Sequence, residues 1–111
     1  YDNIDYCILE IAINQEGDMG LLGCDNSVHI FSRHGAYKSS YSPDIVSAEF
    51  LVPLRNDWLV FNKNGNGVSL VLNNYLAIPD VSIPILDVKS MNRSIAVLSK
   101  DHILILNAQF Q

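Results

Sequence analysis

Short apolar runs, each closed off by a polar turn, follow one another along the whole of this chain, and they do so in a repeating order. None holds the 3.6-residue period of a helix for more than about a turn, whereas several alternate with period two, the pattern of a strand. The first strands of successive units centre on Ile11, Phe50 and Val88, a spacing of about 38 residues. Three units result: 7–41, 45–78 and 85–111. Each has the order apolar strand, turn, strand, polar hairpin, strand, turn, short strand. The expected fold class is therefore all-β, built from about three four-stranded antiparallel sheets in one repeat domain.

The clearest unit surrounds Met19 to Tyr37. Met19–Gly23 and Val28–Phe31 flank the turn Asp25-Asn26-Ser27, and Ser32-Arg33-His34-Gly35 leads to a further strand at Tyr37–Tyr41. Gly20 and Gly23 lack side chains, which suits a place where a neighbour packs closely on the backbone. Tyr37, Ser39 and Tyr41 alternate with Lys38 and Ser40, the pattern of a half-exposed edge strand. The preceding run, Cys7–Ile13, carries Leu9, Ile11 and Ile13 on one face and Ile8, Glu10 and Ala12 on the other, so it is expected to be mostly buried on both sides. In unit two, strands are expected at Ile45–Val52, Trp58–Phe61, Val68–Leu72 and Tyr75–Ile78. The Asn64-Gly65 and Asn66-Gly67 steps mark a hairpin. Unit three is expected to place strands at Ile85–Lys89, Ser94–Leu98 and His102–Leu106, with a fourth beginning near Phe110.

These residues resemble the second half of a WD40-type propeller blade. Gly23-Cys24 stands where that family has a small pair, Asp25 matches its turn aspartate, and Phe31-Ser32 occupies the place of its Trp-Asp dipeptide. No Gly-His precedes the first strand of any unit and no Trp-Asp occurs, so the family's hydrogen-bond network is not carried over. The resemblance implies a degenerate WD40-like β-propeller segment of about three blades. Propellers close with about four to eight blades. Three would leave sheet faces uncovered, so further blades, in cis or by self-association, or a protein partner should complete the structure. A β-sandwich of short strands is the competing fold.

Composition narrows the function classes. The 111 residues are 49% hydrophobic and carry a net charge of −5. Seven scattered Lys and Arg form no basic patch, so a nucleic-acid partner is not expected. No apolar run reaches the length of a membrane span. Cys7 and Cys24 sit among apolar residues and read as buried free thiols of a cytoplasmic or otherwise intracellular protein, with one disulfide as the arithmetic alternative. A chain beginning at Tyr1 is expected to be a fragment or a processed product.

Chemistry-bearing motifs are sparse. His29, His34 and His102 lack metal-ligand spacing, and no nucleophile elbow or phosphate-cradling glycine loop is present. Neither a metal nor a cofactor is expected, and no catalytic residue stands out. The candidate interface residues are Tyr37, Tyr41, Trp58, Tyr75 and His102. Core packing is the alternative role for Trp58. The leading expectation is a non-enzymatic protein–protein interaction scaffold module of a larger intracellular complex. The alternatives are a propeller enzyme or a ligand- or glycan-binding propeller. Its site would lie on the axial face, with turn residues such as Asp18, Asp57 and Arg93 lining one pocket.

Overall fold

The computed structural model describes residues 7–79, 84–91 and 93–107. Among them the chain forms strands and no helix. The first sheet contains β1 (Ile8–Ile13), β2 (Met19–Gly23), β3 (Val28–Phe31) and β4 (Tyr37–Tyr41). The second contains β5 (Phe50–Leu54), β6 (Asp57–Phe61), β7 (Asn66–Ser69) and β8 (Asn74–Ala77). The third contains β9 (Ile85–Met91), β10 (Ser94–Ser99) and β11 (Ile103–Leu106). Each is an antiparallel meander in which strands pair in chain order, and no sheet closes on itself. The fourth strand expected near Phe110 lies outside the described residues. The architecture has one layer more than a two-sheet sandwich.

The three meanders share one register. The turn between second and third strands is closed by Gly23 N–H to Ser27 O in the first sheet, by Asn62 N–H to Asn66 O in the second and by Ser99 N–H to His102 O in the third. Counting from these bonds, Leu22, Phe61 and Leu98 are equivalent, as are Gly20, Leu59 and Ala96. On the first strands the equivalents are Ile11, Leu51 and Val88, so the middle unit sits one residue from the sequence-based alignment on Phe50.

Strand alternation then divides the core in two. Leu22, Val28 and Ile30 of the first sheet pack against Leu51, Trp58, Val60 and Leu70 of the second. The opposite face of the second sheet, with Phe50, Val52, Leu59 and Phe61, packs against Ile85, Val88, Ile95, Val97 and Leu106 of the third. The middle sheet is covered on both sides, which is why β5 and β6 read FLVPL and DWLVF with almost no polar position. Pro53 is tolerated because β5 is an edge strand.

Trp58 needs room, and Gly20 provides it. A Cβ on Gly20 would stand 2.8 Å from the Trp58 ring and 3.0 Å from a Leu51 methyl. The close approach expected at Gly20 is therefore an indole laid on bare backbone.

Residues 45–49 are not strand, contrary to the reading of Ile45–Val52 as one run. They cross between the first two sheets and are tied to both by side-chain amides. Asn26 donates to Ile45 O and accepts from Ala48 N–H, and Asn62 donates to Val46 O. Asn26 and Ser47 adopt left-handed φ of 69° and 54°. A buried Asn62 also accepts from Asn64 and Asn66 N–H, shaping the hairpin around Gly65 (φ 88°). In β7 the strand starts and ends earlier than the sequence pattern implies, leaving Val71 and Leu72 exposed in a turn.

Two expectations are overturned. Cys7 and Cys24 are joined in a disulfide with Cα atoms 5.4 Å apart, and both are exposed rather than buried thiols. Cys24 follows β2 and Cys7 precedes β1, so the apolar neighbours that suggested burial belong to the strands, not to the cysteines. Likewise β1 is not buried on both sides, since Leu9, Ile11 and Ile13 face outward.

These contacts fix the expected outcome of four unfolding measurements. Urea melts should show Gly20→Val losing about 1–3 kcal/mol by overpacking and Trp58→Ala losing about 3–5 kcal/mol. The pair should be non-additive, because one removes the ring that the other strikes. Cys24→Ser, which opens a link across a separation of 17 residues, should cost about 3 kcal/mol.

Candidate functional site

Among the described residues, each end of the three-sheet stack presents a face that no other sheet covers, and these faces are the candidate site. On the first sheet the outward rows are Ile11–Leu21–His29 and Ile13–Met19–Phe31, the second continuing to Tyr37. On the third sheet they are Asp87–Leu98–Ile103 and Lys89–Ala96–Ile105. Ile13 is 64% exposed and Ile103 65%. These exposed apolar side chains, interrupted on the third sheet by Asp87 and Lys89, make the two faces candidates for binding. They were legible only indirectly, from the shortage of sheets, because the same side chains read equally well as core.

The five aromatic and histidine candidates do not meet. Tyr37 lies on the free face of the first sheet, its ring edge-on to Phe31 at 5.6 Å and 75°. Tyr41 is half-buried and packs against the core between the first and second sheets. Trp58 is buried in that same core and offers no surface. Tyr75 is exposed on β8, where its hydroxyl donates to Asp44 at 3.1 Å. That bond lifts the phenol above its ordinary pKa. His102 is exposed in the turn before β11, its carbonyl accepting from Ser99.

Two of the ion pairs among the described residues involve side chains with displaced carboxyl pKa values. Asp18 accepts from Lys38 Nζ at 2.7 Å, linking the turn after β1 to β4. This bond, before any other influence, holds the Asp18 carboxyl below its usual range and raises Lys38. Glu10 differs. Burial pushes its carboxyl up, against the opposing pull of Lys89, whose Nζ stands 3.7 Å from Oε1. That distance is long for a hydrogen bond, and Oε1 makes none among the described residues.

The turns joining first and second strands gather at one end around an open groove lined by Gln15, Glu16, Arg55, Asn56, Arg93 and Ser94. Of the three turn residues expected there, Arg93 lines it. Asp18 is engaged by Lys38, and Asp57 accepts from Trp58 N–H, Val71 N–H and Ser69 Oγ. Among the described residues no three His, Cys, Asp or Glu side chains converge as metal ligands, and no helix is long and apolar enough to cross a membrane. No family model matches this sequence, and no curated protein matches it significantly.

The two carboxylates should respond to pH in opposite senses. A depressed pKa makes Asp18 a stabilising charge above about pH 4, lost as pH falls through its folded-state value. A raised pKa makes ionised Glu10 a cost at neutral pH, relieved as pH falls. Thermal melts should show Asp18→Asn lowering Tm at pH 7, with the deficit shrinking in acid. They should show Glu10→Gln raising Tm at pH 7, with that gain shrinking toward about pH 4.

Proposed function

We propose that this chain is a non-catalytic protein–protein interaction module, a segment of a WD40-like β-propeller whose two end sheets receive further sheets or a protein partner. One observation carries the reading. Strands β5 and β6 of the middle sheet bury both faces, while the outward rows of the first and third sheets, Asp87 and Lys89 interrupting the third, carry exposed Ile11, Ile13, Leu98, Ile103 and Ile105. A propeller places the first strand of every blade nearest the axis, and here β1, β5 and β9 lie along one groove lined by Ile11, Leu51, Val52, Val88 and Lys89. The ion pair between Glu10 of β1 and Lys89 of β9 spans that line.

The free thiols read in the sequence as a sign of an intracellular setting are joined as Cys7–Cys24. Disulfides of this kind persist in oxidising compartments. The groove at the turn end, with Arg55 and Arg93 on its wall, favours a second reading in which a small acidic ligand binds on the axial face.

Solution behaviour tests the main reading. The chain should associate, or bind the hydrophobic dye bis-ANS, and Ile11→Lys should weaken both while leaving the far-ultraviolet circular dichroism unchanged. A chain that stays monomeric at every concentration and binds no dye contradicts it.

A further inference from the structure

The docking faces are not only apolar; they match each other. The junction between the first and second sheets joins two sets of rows. One set is Glu10–Leu22–Val28 and Ala12–Gly20–Ile30. The other is built on Leu51–Val60 and Pro53–Trp58, with Leu70 bonded opposite Trp58. The free face of the third sheet occupies the positions of the first set, Asp87–Leu98–Ile103 and Lys89–Ala96–Ile105, and departs from it in character at Lys89, which stands where the first sheet has Ala12. A carboxylate stands at the same end of the first strand, a leucine beside it, a small residue at the Gly20 position, and two β-branched residues on the third strand. The free face of the first sheet occupies the positions of the second set, with Ile11 and Leu21 for Leu51 and Val60, and Ile13 and Met19 for Pro53 and Trp58.

Side-chain bulk is balanced across the existing junctions. The large Trp58 meets Gly20 in the first, and the medium-sized Ile95 is the counterpart of Leu59 in the second. Met19 over Ala96 continues that balance, a flexible side chain over a small one. The chain thus carries both halves of a third junction, one at each end of its stack.

We propose that the occupant of these faces is a second copy of this chain, the free face of each first sheet seated on the free face of the partner's third sheet. The proposal rests on the interaction-module reading and names its partner. Two such junctions close in one pair, giving a discrete ring of six sheets, within the range of about four to eight that such rings adopt.

Light scattering coupled to size exclusion tests it on the 111-residue chain. The expected mass is twice the chain mass of 12.4 kDa. Ile13→Lys and Ile105→Glu, both at exposed positions, should each give a folded monomer. Mixed in equal amounts they should recover the dimer mass, because one wild-type junction and one Lys–Glu junction are then available. Self-pairing is overturned by a wild-type monomer, by indefinite growth, or by two variants that do not rescue each other. In a wild-type monomer, bis-ANS binding that Ile13→Lys removes leaves the interaction-module reading standing, and absence of dye binding removes both.

Discussion

Strands β5 and β6 of the second sheet have no face to give to water, and the rest of the structure depends on that. A sheet packs about 10 Å from its neighbour, and alternation sends successive side chains to opposite sides. With Leu51, Trp58 and Val60 on one side and Phe50, Val52, Leu59 and Phe61 on the other, the second sheet requires a partner on each. The first and third sheets supply them through one face apiece. Among the described residues their remaining faces have no cover and keep exposed Ile11, Ile13, Ile103 and Ile105, with Asp87 and Lys89 the charged positions on the third sheet, so the two-sided burial at the centre and the open ends are one fact.

Repeated backbone and unrepeated side chains are reconciled by compensation in bulk. The three turn bonds hold the meanders in a common register, yet the equivalent positions carry Gly20, Leu59 and Ala96. A glycine is destabilising in a strand on its own account. At position 20 the indole of Trp58 fills the space, and the contact fixes the spacing of the two sheets. The crossover between them is held by amides rather than by a ladder. Asn26 and Asn62 pair Ile45 O, Val46 O and Ala48 N–H, and only at Glu49 does a backbone bond, to Phe61 O, take over.

The strands of this fold were legible to within a few residues because turn chemistry bounds them. Asp25-Asn26-Ser27 and Asn64-Gly65 sit where the chain reverses. Facing was harder. Leu9, Ile11 and Ile13 alternate as cleanly as Val52 or Leu59, and nothing in one strand says whether a neighbour covers it. The crossover was misread because Val46 and Ala48 continue the alternation of Phe50, although Ser47 turns left-handed and Val46 is exposed. The disulfide was missed because Cys7 and Cys24 are far enough apart in sequence that only the β1–β2 register brings them together. Trp58 carried both of its possible roles in the sequence, and burial assigns it to the core. The free faces could be inferred only by counting sheets.

Native-state hydrogen exchange on the monomeric Ile13→Lys variant tests the central claim most directly. If the second sheet is the doubly covered centre, the amides of Leu59, Val60 and Phe61 should exchange only through global unfolding. Those of Ile11, Ile103 and Ile105 should exchange through smaller openings of the end sheets. Equal protection across all three sheets would contradict it, since the end faces could then not be the uncovered surfaces from which the interaction reading is drawn.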